Sequence, residues 1–588
     1  MNSLIGKKIY YLYKRRDIME GNQGTAASPG IAIGQALIQE RHEFQFVQKN
    51  IEEAESELEI KRFYQAIAEG KEDVKDLRQK VKKEVGAQES EIFTAHIQIM
   101  NDPEFHNLVE KIIREEQVTA EIAVQRVIRN FAAQFAEMEE SYIDARETDI
   151  KDIGDRILRL LQGMDLDQSL IENEVILVSY ELTPSEIARL DTNRVMGIVL
   201  AEGSRTSHTA ILARSLEIPT VVGLGSEVIS QIGQGDEIIV DGDDGLIFIS
   251  PDEKTISNYR RRYQELEVRE RELEKYKDMK LERKDGRRVY VNANIGGTVD
   301  LGPMLARGAD GIGLFRTEFL FLDRDSLPDE EEQFQIYKEV VEKVGDRPVV
   351  IRTVDIGSDK KPEYLDFPEE INPAMGYRGI RISLNNKDFF KTQLRAILRA
   401  SKFGDVKVMY PMISGIEEVR NANSVLRQSR LELLEEDIEI GNPEVGIMIE
   451  VPSAVAMVRE LAEEVGFLSI GTNDLVQYTL AVDRTNEKIK DQFTPYHPAI
   501  LRMITRVAAA GREFNIPVAM CGEAAGDKLL IPFWIGIGID HLSMSPVSIL
   551  PARETIKKWL NRDKSELIQQ VLQMSTVAEI QYYLSRRE

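Results

Sequence analysis

His208 closes the string Gly203-Ser204-Arg205-Thr206-Ser207-His208, and Ile211, Leu212 and Leu216 follow at helical spacing. An apolar run, Val195 to Leu200, comes before the string and reads as a strand; Gly203-Ser204 reads as a turn; Pro219 ends the helix before Val221-Val222 opens another strand. This order puts His208 in the first turn of a helix that follows a strand. Backbone N–H groups and the helix dipole favour an anion there. An imidazole is a nucleophile near neutral pH, so a phosphoryl group carried on it meets a ready anion site. A histidine at a helix start also serves as a cap or a surface residue, and spacing alone does not separate these uses.

A second set of reactive residues lies far downstream. From Val289 the chain shows eight short apolar runs separated by helical patterns: Val289–Ile295, Gly311–Arg316, Val349–Ile356, Val406–Met412, Val445–Val451, Phe467–Gly471, Pro517–Cys521 and His541–Met544. Strands alternating with helices over about 300 residues predict a (β/α)8 barrel, whose chemistry lies at the C-terminal ends of its strands. Those ends carry Arg316, Arg352 with Asp355, Glu450, Asn473 with Asp474, and Cys521. The guanidinium fork donates two parallel hydrogen bonds to phosphate or carboxylate, so Arg316, Arg352 and Arg484, converging at one mouth, make a pocket for an anionic substrate. Glu450 and Asp474 end the fifth and sixth strands, and two carboxylates there suit Mg2+. Thr472-Asn473-Asp474 also fits a helix N-cap, worth about 1 kcal/mol. Glu450, just before Pro452, has no such local use. Cys521 is either an inert core thiol or a functional one.

The composition bounds what these residues serve. The chain has 588 residues, too many for one core, so roughly two to four domains are expected. Hydrophobic residues at 42% and charged residues at 30% describe a globular, water-soluble chain. The net charge of −25 argues against nucleic acid or an anionic membrane as partner and favours a basic protein. One cysteine allows no internal disulfide, which fits a reducing cytoplasm. The most apolar window, Ile531 to Ile539, is too short to span or insert into a membrane. Residues 1–20 lack the apolar core and cleavage site of a signal peptide and read as an N-terminal extension.

The intervening patterns divide the chain. Residues 21–47 and 162–251 read as one small α/β domain that carries His208, with a capping box at Thr183-Pro184-Ser185-Glu186 and a hairpin at Asp241 to Gly245. Residues 48–161 are helical throughout, stopping and restarting at Asn101-Asp102-Pro103, and read as an inserted all-α bundle. Residues 252–286, dense in Arg, Glu and Lys, read as a long solvated linker helix, and 287–588 as the barrel. The expected fold class is therefore multidomain α/β.

The His208 string, continued as His208-x-Ala-Ile-x-Ala-Arg, resembles the phosphohistidine signature of the family that handles phosphoenolpyruvate: Enzyme I of the sugar phosphotransferase system, pyruvate phosphate dikinase and phosphoenolpyruvate synthase. GLFRTEFLFLDR (313–324), RTVDIGSDK (352–360), NPAMGYRGIR (372–381), GIMIEVPSA (446–454), SIGTNDLVQYTLAVDR (469–484) and MCGEAAGD (520–527) extend the resemblance to Enzyme I from about Ser28 to the C-terminus. The resemblance implies that His208 takes the phosphoryl group of phosphoenolpyruvate and passes it to a histidine of the carrier protein HPr, releasing pyruvate. It implies that Glu450 and Asp474 hold Mg2+, that Arg316 and Arg352 grip the phosphate, and that Asn473, Asp474 and Arg484 help to hold the substrate. Cys521 then protonates the methylene carbon of enolpyruvate. It further implies that the helical block docks HPr through Glu91 to Pro103, with Phe93, His96 and Met100, and that the barrel forms a homodimer. The two other enzymes need an ATP-grasp domain, for which the helical block is too short. A non-catalytic scaffold that binds HPr is the competing reading from another class. Four positions depart from the family pattern, namely Ala201, Ser204, Ser358 and Gly466; at Ser204 a glycine allows positive φ or close approach of phosphate.

Overall fold

The computed structural model describes residues 21–39, 51–84, 87–136, 143–164, 173–204, 207–284, 286–322, 326–357, 370–484, 486 and 488–587. The expected extension 1–20, the opening of the helical block, Ser358 and the side chain of His208 lie outside the described residues. The chain divides into two compact units, 1–268 and 269–588.

The first unit is built on an eight-stranded sheet: β1 (Asn22–Gln23), β2 (Thr25–Ser28), β3 (Ile31–Gln39), β4 (Val175–Ser179), β5 (Val195–Leu200), β6 (Thr220–Val222), β7 (Glu237–Asp241) and β8 (Leu246–Ile249), in the order β1-β8-β7-β3-β4-β5-β6-β2. The central run from β3 to β6 is parallel and the flanking pairs are antiparallel. Strand periodicity splits the apolar residues between two faces. Ile176 and Val178 join a small core on one face, and Leu177 joins Phe63, Phe93 and Phe105 of the helices on the other. Those helices, Ser56–Glu84, Ala87–Asn101, Pro103–Glu116, Ala120–Ala136 and Ile143–Leu161, are inserted between β3 and β4. Asp102 caps the third of them by accepting a hydrogen bond from the Glu104 N–H at 2.8 Å, with Pro103 at the first helical position.

Two expectations change, one in this unit and one where the chain passes to the second. Phe93, His96 and Met100 are fully buried, so they face the bundle core rather than a docking partner. Their spacing of three and four residues places them on one inward stripe, where His96 lies 3.7 Å from Asp149 and 4.0 Å from Asp152. The linker helix runs only from Glu253 to Glu274. It ends in tight turns, such as Tyr276 N–H to the Leu273 carbonyl at 2.9 Å, because Leu281 is drawn into the barrel core and Glu282 bridges to Arg288.

The second unit is a closed parallel barrel, a TIM barrel, of β9 (Tyr290–Ile295), β10 (Ile312–Arg316), β11 (Val349–Arg352), β12 (Val406–Tyr410), β13 (Glu444–Ile449), β14 (Phe467–Ile470), β15 (Val518–Met520) and β16 (His541–Met544). All eight expected strands occur. The third is shorter than its apolar run because, after the Thr353 N–H makes its bond to the Met409 carbonyl at 2.9 Å, side chains replace the ladder. The Val354 N–H donates to Gln393 Oε1 at 3.0 Å and the Asp355 N–H to Glu318 Oε1 at 2.8 Å. Asp355 therefore sits in a loop, held by the neighbouring strand's carboxylate.

Across the seam between β16 and β9, the His541 ring stacks on Tyr290 with centroids 4.6 Å apart and planes 9° apart. Burial, with Lys407 and Arg288 nearby, pushes the His541 pKa down to about 4. The unfolded chain takes up this proton near its ordinary value of 6.5, so stability falls as pH drops from there towards 4. Lowering the pH from 7 to 5 should cost wild type about 2 kcal/mol more than His541→Phe, measured by urea unfolding of the barrel. Equal losses would show that His541 is protonated in the folded state.

Candidate active site

The phosphohistidine candidate is positioned by the local chain. After β5, Gly203 takes φ +111°, a left-handed conformation open to glycine. The Ser207 side chain then caps the helix His208–Ser215 by accepting the Ala210 N–H at 3.2 Å, so the backbone of His208 occupies the first helical position. Thr209, buried, anchors the same turn by donating to the Leu182 carbonyl at 2.8 Å, and Arg214 donates to the Ala27 carbonyl at 2.6 Å. Ser204 is not in the left-handed region; its carbonyl accepts from Ser207 Oγ at 3.0 Å. A glycine's freedom is not needed at that position. Ala201 is buried, and a Cβ at Gly466 would meet the side chain of Glu444.

At the C-terminal end of the barrel, Arg316 and Arg352 are register partners on β10 and β11. Arg352 is buried among carboxylates. Its Nη2 donates to Glu318 Oε1 at 2.9 Å and its Nη1 lies 3.3 Å from Asp355 Oδ2. Burial by itself lowers an arginine pKa, but Glu318, Asp355, Glu450 and Asp474 outweigh it and hold Arg352 above its ordinary value. Arg378, also buried, donates to Asp355 Oδ2 at 3.1 Å and Tyr478 Oη at 3.3 Å, and its Nη1 stands 3.9 Å from Asp474 Oδ1. Arg316 is half-buried and has no ion-pair partner among the described residues.

Glu450 follows β13 and is wholly buried. Oε1 accepts the Met412 N–H at 2.6 Å, aimed by a left-handed φ of 55° at Met412. Oε2 has no hydrogen-bond partner among the described residues. Gly471 makes room for it, since a Cβ there would lie 2.7 Å from Oε2. Burial, then the charges of Asp474 and Asp355, push Glu450 up to about 8, with Arg352 opposing. Asp474 lies in the first turn of the helix Thr472–Leu480, whose N-cap is Gly471 with no side-chain cap bond. The N-cap use of Thr472-Asn473-Asp474 is thereby overturned, and the Asp474 carboxylate points to other work. Asn473 is half-buried beside it. Among the described residues no group of three or more His, Cys, Asp or Glu is placed to hold a metal, so Glu450 and Asp474 could supply only two protein ligands to a cation.

Cys521 follows β15, buried, with Sγ accepting from Ser469 Oγ at 3.3 Å. Burial pushes its pKa up to about 11. Asn294 Nδ2 donates to its carbonyl at 2.9 Å, tying β9 to this turn. Arg484 is exposed and joins none of these contacts among the described residues.

The structure thus gathers Arg316, Arg352, Glu450, Asn473, Asp474 and Cys521 at one end of the barrel. It adds Glu318, Arg378 and Tyr478, which sequence reasoning did not single out. Glu318 stands two residues after Arg316, and a charged residue close to a strand end was its signal; Arg378 lies far from any strand end, and its place inside NPAMGYRGIR was its signal.

Comparison with known proteins places the chain in a family. Family models match residues 23–146 (PEP-utilising enzyme, N-terminal), 171–245 (PEP-utilising enzyme, mobile domain) and 270–560 (PEP-utilising enzyme, PEP-binding domain). The phosphoenolpyruvate-protein phosphotransferase of Priestia megaterium is 42% identical over 95% of this chain and 97% of its own length. That of Bacillus subtilis (strain 168) is 41% identical over 96% and 98%. The chain belongs to the phosphoenolpyruvate-protein phosphotransferase family. A solution structure of an Enzyme I protein is 41% identical and covers 42% of this chain and 99% of that one, with a TM-score of 0.35.

The Cys521 thiol should stay protonated through neutral pH. In the native protein, alkylation by iodoacetamide should remain slow from pH 7 to about 9 and become fast in denaturant. Rapid native labelling at neutral pH would contradict a buried, proton-bearing thiol.

Proposed function

We propose that this chain transfers the phosphoryl group of phosphoenolpyruvate to its own His208 and from there to a histidine of the carrier protein HPr, releasing pyruvate. It is the first step of the sugar phosphotransferase system. The observation that carries this reading is the barrel mouth of a chain that a family member matches over 95% of its length. Two arginines stand side by side there, next to a buried carboxylate oxygen with no partner.

Arg316 and Arg352 bind the phosphate of the substrate, and Asn473 and Arg484 help to hold its phosphate and carboxylate ends. Glu318 and Asp355 hold the Arg352 guanidinium before substrate arrives, so its charge needs no reorganisation during reaction. Family members need a divalent metal. The partnerless Oε2 of Glu450 and the nearby Asp474 fit one, and we assign Mg2+ to them. When bound, it neutralises charge on the transferred phosphoryl group.

The His208 imidazole attacks phosphorus in line, and the bond from phosphorus to the enol oxygen breaks. The phosphoryl group then sits at a helix N-terminus, where N–H groups and the dipole favour it. The enolate carbon takes the Cys521 proton, and pyruvate leaves. A thiol with its pKa pushed up to about 11 holds that proton until the enolate forms. Ser469 Oγ, 3.3 Å from the sulfur, is placed to donate to the thiolate that remains.

The domain assignment 21–47 with 162–251 for phosphohistidine, 48–161 for HPr docking, 252–286 as linker and 287–588 for substrate binding and homodimerisation belongs to the same reading. So do the cytoplasmic location and the absence of nucleic-acid partners. Among the described residues no helix is long and apolar enough to cross a membrane. Phe93, His96 and Met100, being buried, support the helix that presents any HPr contact and do not make it.

Incubating the protein with radiolabelled phosphoenolpyruvate and Mg2+ should give acid-labile, base-stable label that passes to HPr. His208→Ala should take no label. An unlabelled wild type would sink the transferase reading and leave a non-catalytic scaffold.

A further inference from the structure

On the flank of the barrel, a cavity of about 90 Å3 lies among the helices Ile549–Trp559, Ser565–Gln573 and Val577–Ser585 and the segment 528–532. Arg269, Lys528, Lys558, Arg562 and Arg587 line it against one carboxylate, Glu554. This is a local inversion of charge on a chain of net charge −25.

The nearby carboxylates do not balance the five cations. Glu554 serves both Arg269, at 3.0 Å, and Lys558, at 3.6 Å, and Glu566 serves Arg587 at 2.7 Å. Lys528 and Arg562 have no ion-pair partner among the described residues. The Arg562 guanidinium lies over the Trp559 ring instead, 5.0 Å from its centroid. Lys564 Nζ donates to the carbonyls of Trp559, at 2.9 Å, and Arg562, at 2.6 Å, and so pins the helix end that carries both.

The floor is apolar, with Leu567 and Leu584 buried beneath the charges. Cations gathered over a low-dielectric floor raise the local potential, and a small dianion relieves it. Arginine forks and lysine ammonium groups are the donors that phosphate oxygens accept from. Pockets for drug-sized ligands run from about 300 to 1,000 Å3, so this cavity takes one phosphate-sized group and not a nucleotide.

We propose that this cavity binds a small phosphate-bearing anion at a site separate from the barrel mouth, with which it shares no residue. Free inorganic phosphate and a small phosphomonoester carry the same chemistry. The apolar floor separates them, because only the ester has carbon to lay on it.

The test uses the full chain with 5-fluorotryptophan at its two tryptophans, Trp534 and Trp559. Fluorine NMR follows titration with inorganic phosphate and, separately, with glycerol 3-phosphate, at ionic strength held constant with potassium chloride. The Trp559 resonance should shift saturably while that of the buried Trp534 stays in place. Arg316→Ala should leave the midpoint unchanged, and Lys528→Glu should raise it at least about tenfold. A lower midpoint for glycerol 3-phosphate assigns the site to phosphomonoesters, and equal midpoints assign it to free phosphate. The proposal is overturned if neither ligand gives a saturable shift, if chloride alone reproduces it, if Lys528→Glu leaves it intact, or if Arg316→Ala abolishes it.

Discussion

The charge cluster formed by Glu318, Arg352, Asp355 and Arg378 governs the working end of the barrel. All four side chains are buried, and a buried charge without a partner costs several kcal/mol, roughly 3–5 when one member of a pair is removed. Here each carboxylate answers more than one donor. Glu318 accepts from Arg352 and from the Asp355 N–H, and Asp355 accepts from Arg378 while facing Arg352. The same bonds end β11 early and shape the loop beyond it. One network therefore fixes the backbone and aims the guanidinium groups, and a substrate phosphate meets charges already in position.

Glu450 follows from that arrangement. Burial, Asp474 and Asp355 work against its charged form and push it up to about 8, while Arg352 offsets part of the charge and the Met412 N–H satisfies one oxygen. The other oxygen remains unsatisfied beside Asp474, which no helix cap employs. Two acidic groups that share a mouth with buried arginines favour a cation bound together with an anion. On the proposed function, catalysis by such a site rests on positioning and electrostatics, the covalent events at the protein being phosphoryl transfer to His208, its onward transfer to the carrier and proton transfer from Cys521.

Much of this was legible in the residues. Eight apolar runs ending in polar residues announced the barrel, because parallel strands buried on both faces read as continuous apolar stretches. The turn at Gly203, the helical spacing of Ile211, Leu212 and Leu216 and the stop at Pro219 placed His208 at a helix start. What the sequence hid were tertiary choices. Glu318 and Arg378 matter through partners distant in sequence, and no spacing rule links them. The resemblance sets Phe93, His96 and Met100 in a docking region, but the stripe they share turns inward. The linker helix stops short because Leu281 finds a core, which helical periodicity does not foretell.

The central claim is that the partnerless oxygen of Glu450, with Asp474, makes the cation site of the barrel mouth. Electron paramagnetic resonance of Mn2+ added to the protein with phosphoenolpyruvate measures it directly. The account predicts one tight site in wild type and a loss of affinity of at least about a hundredfold in Glu450→Gln, with the fold intact by circular dichroism. Equal Mn2+ affinity in the two proteins would contradict it.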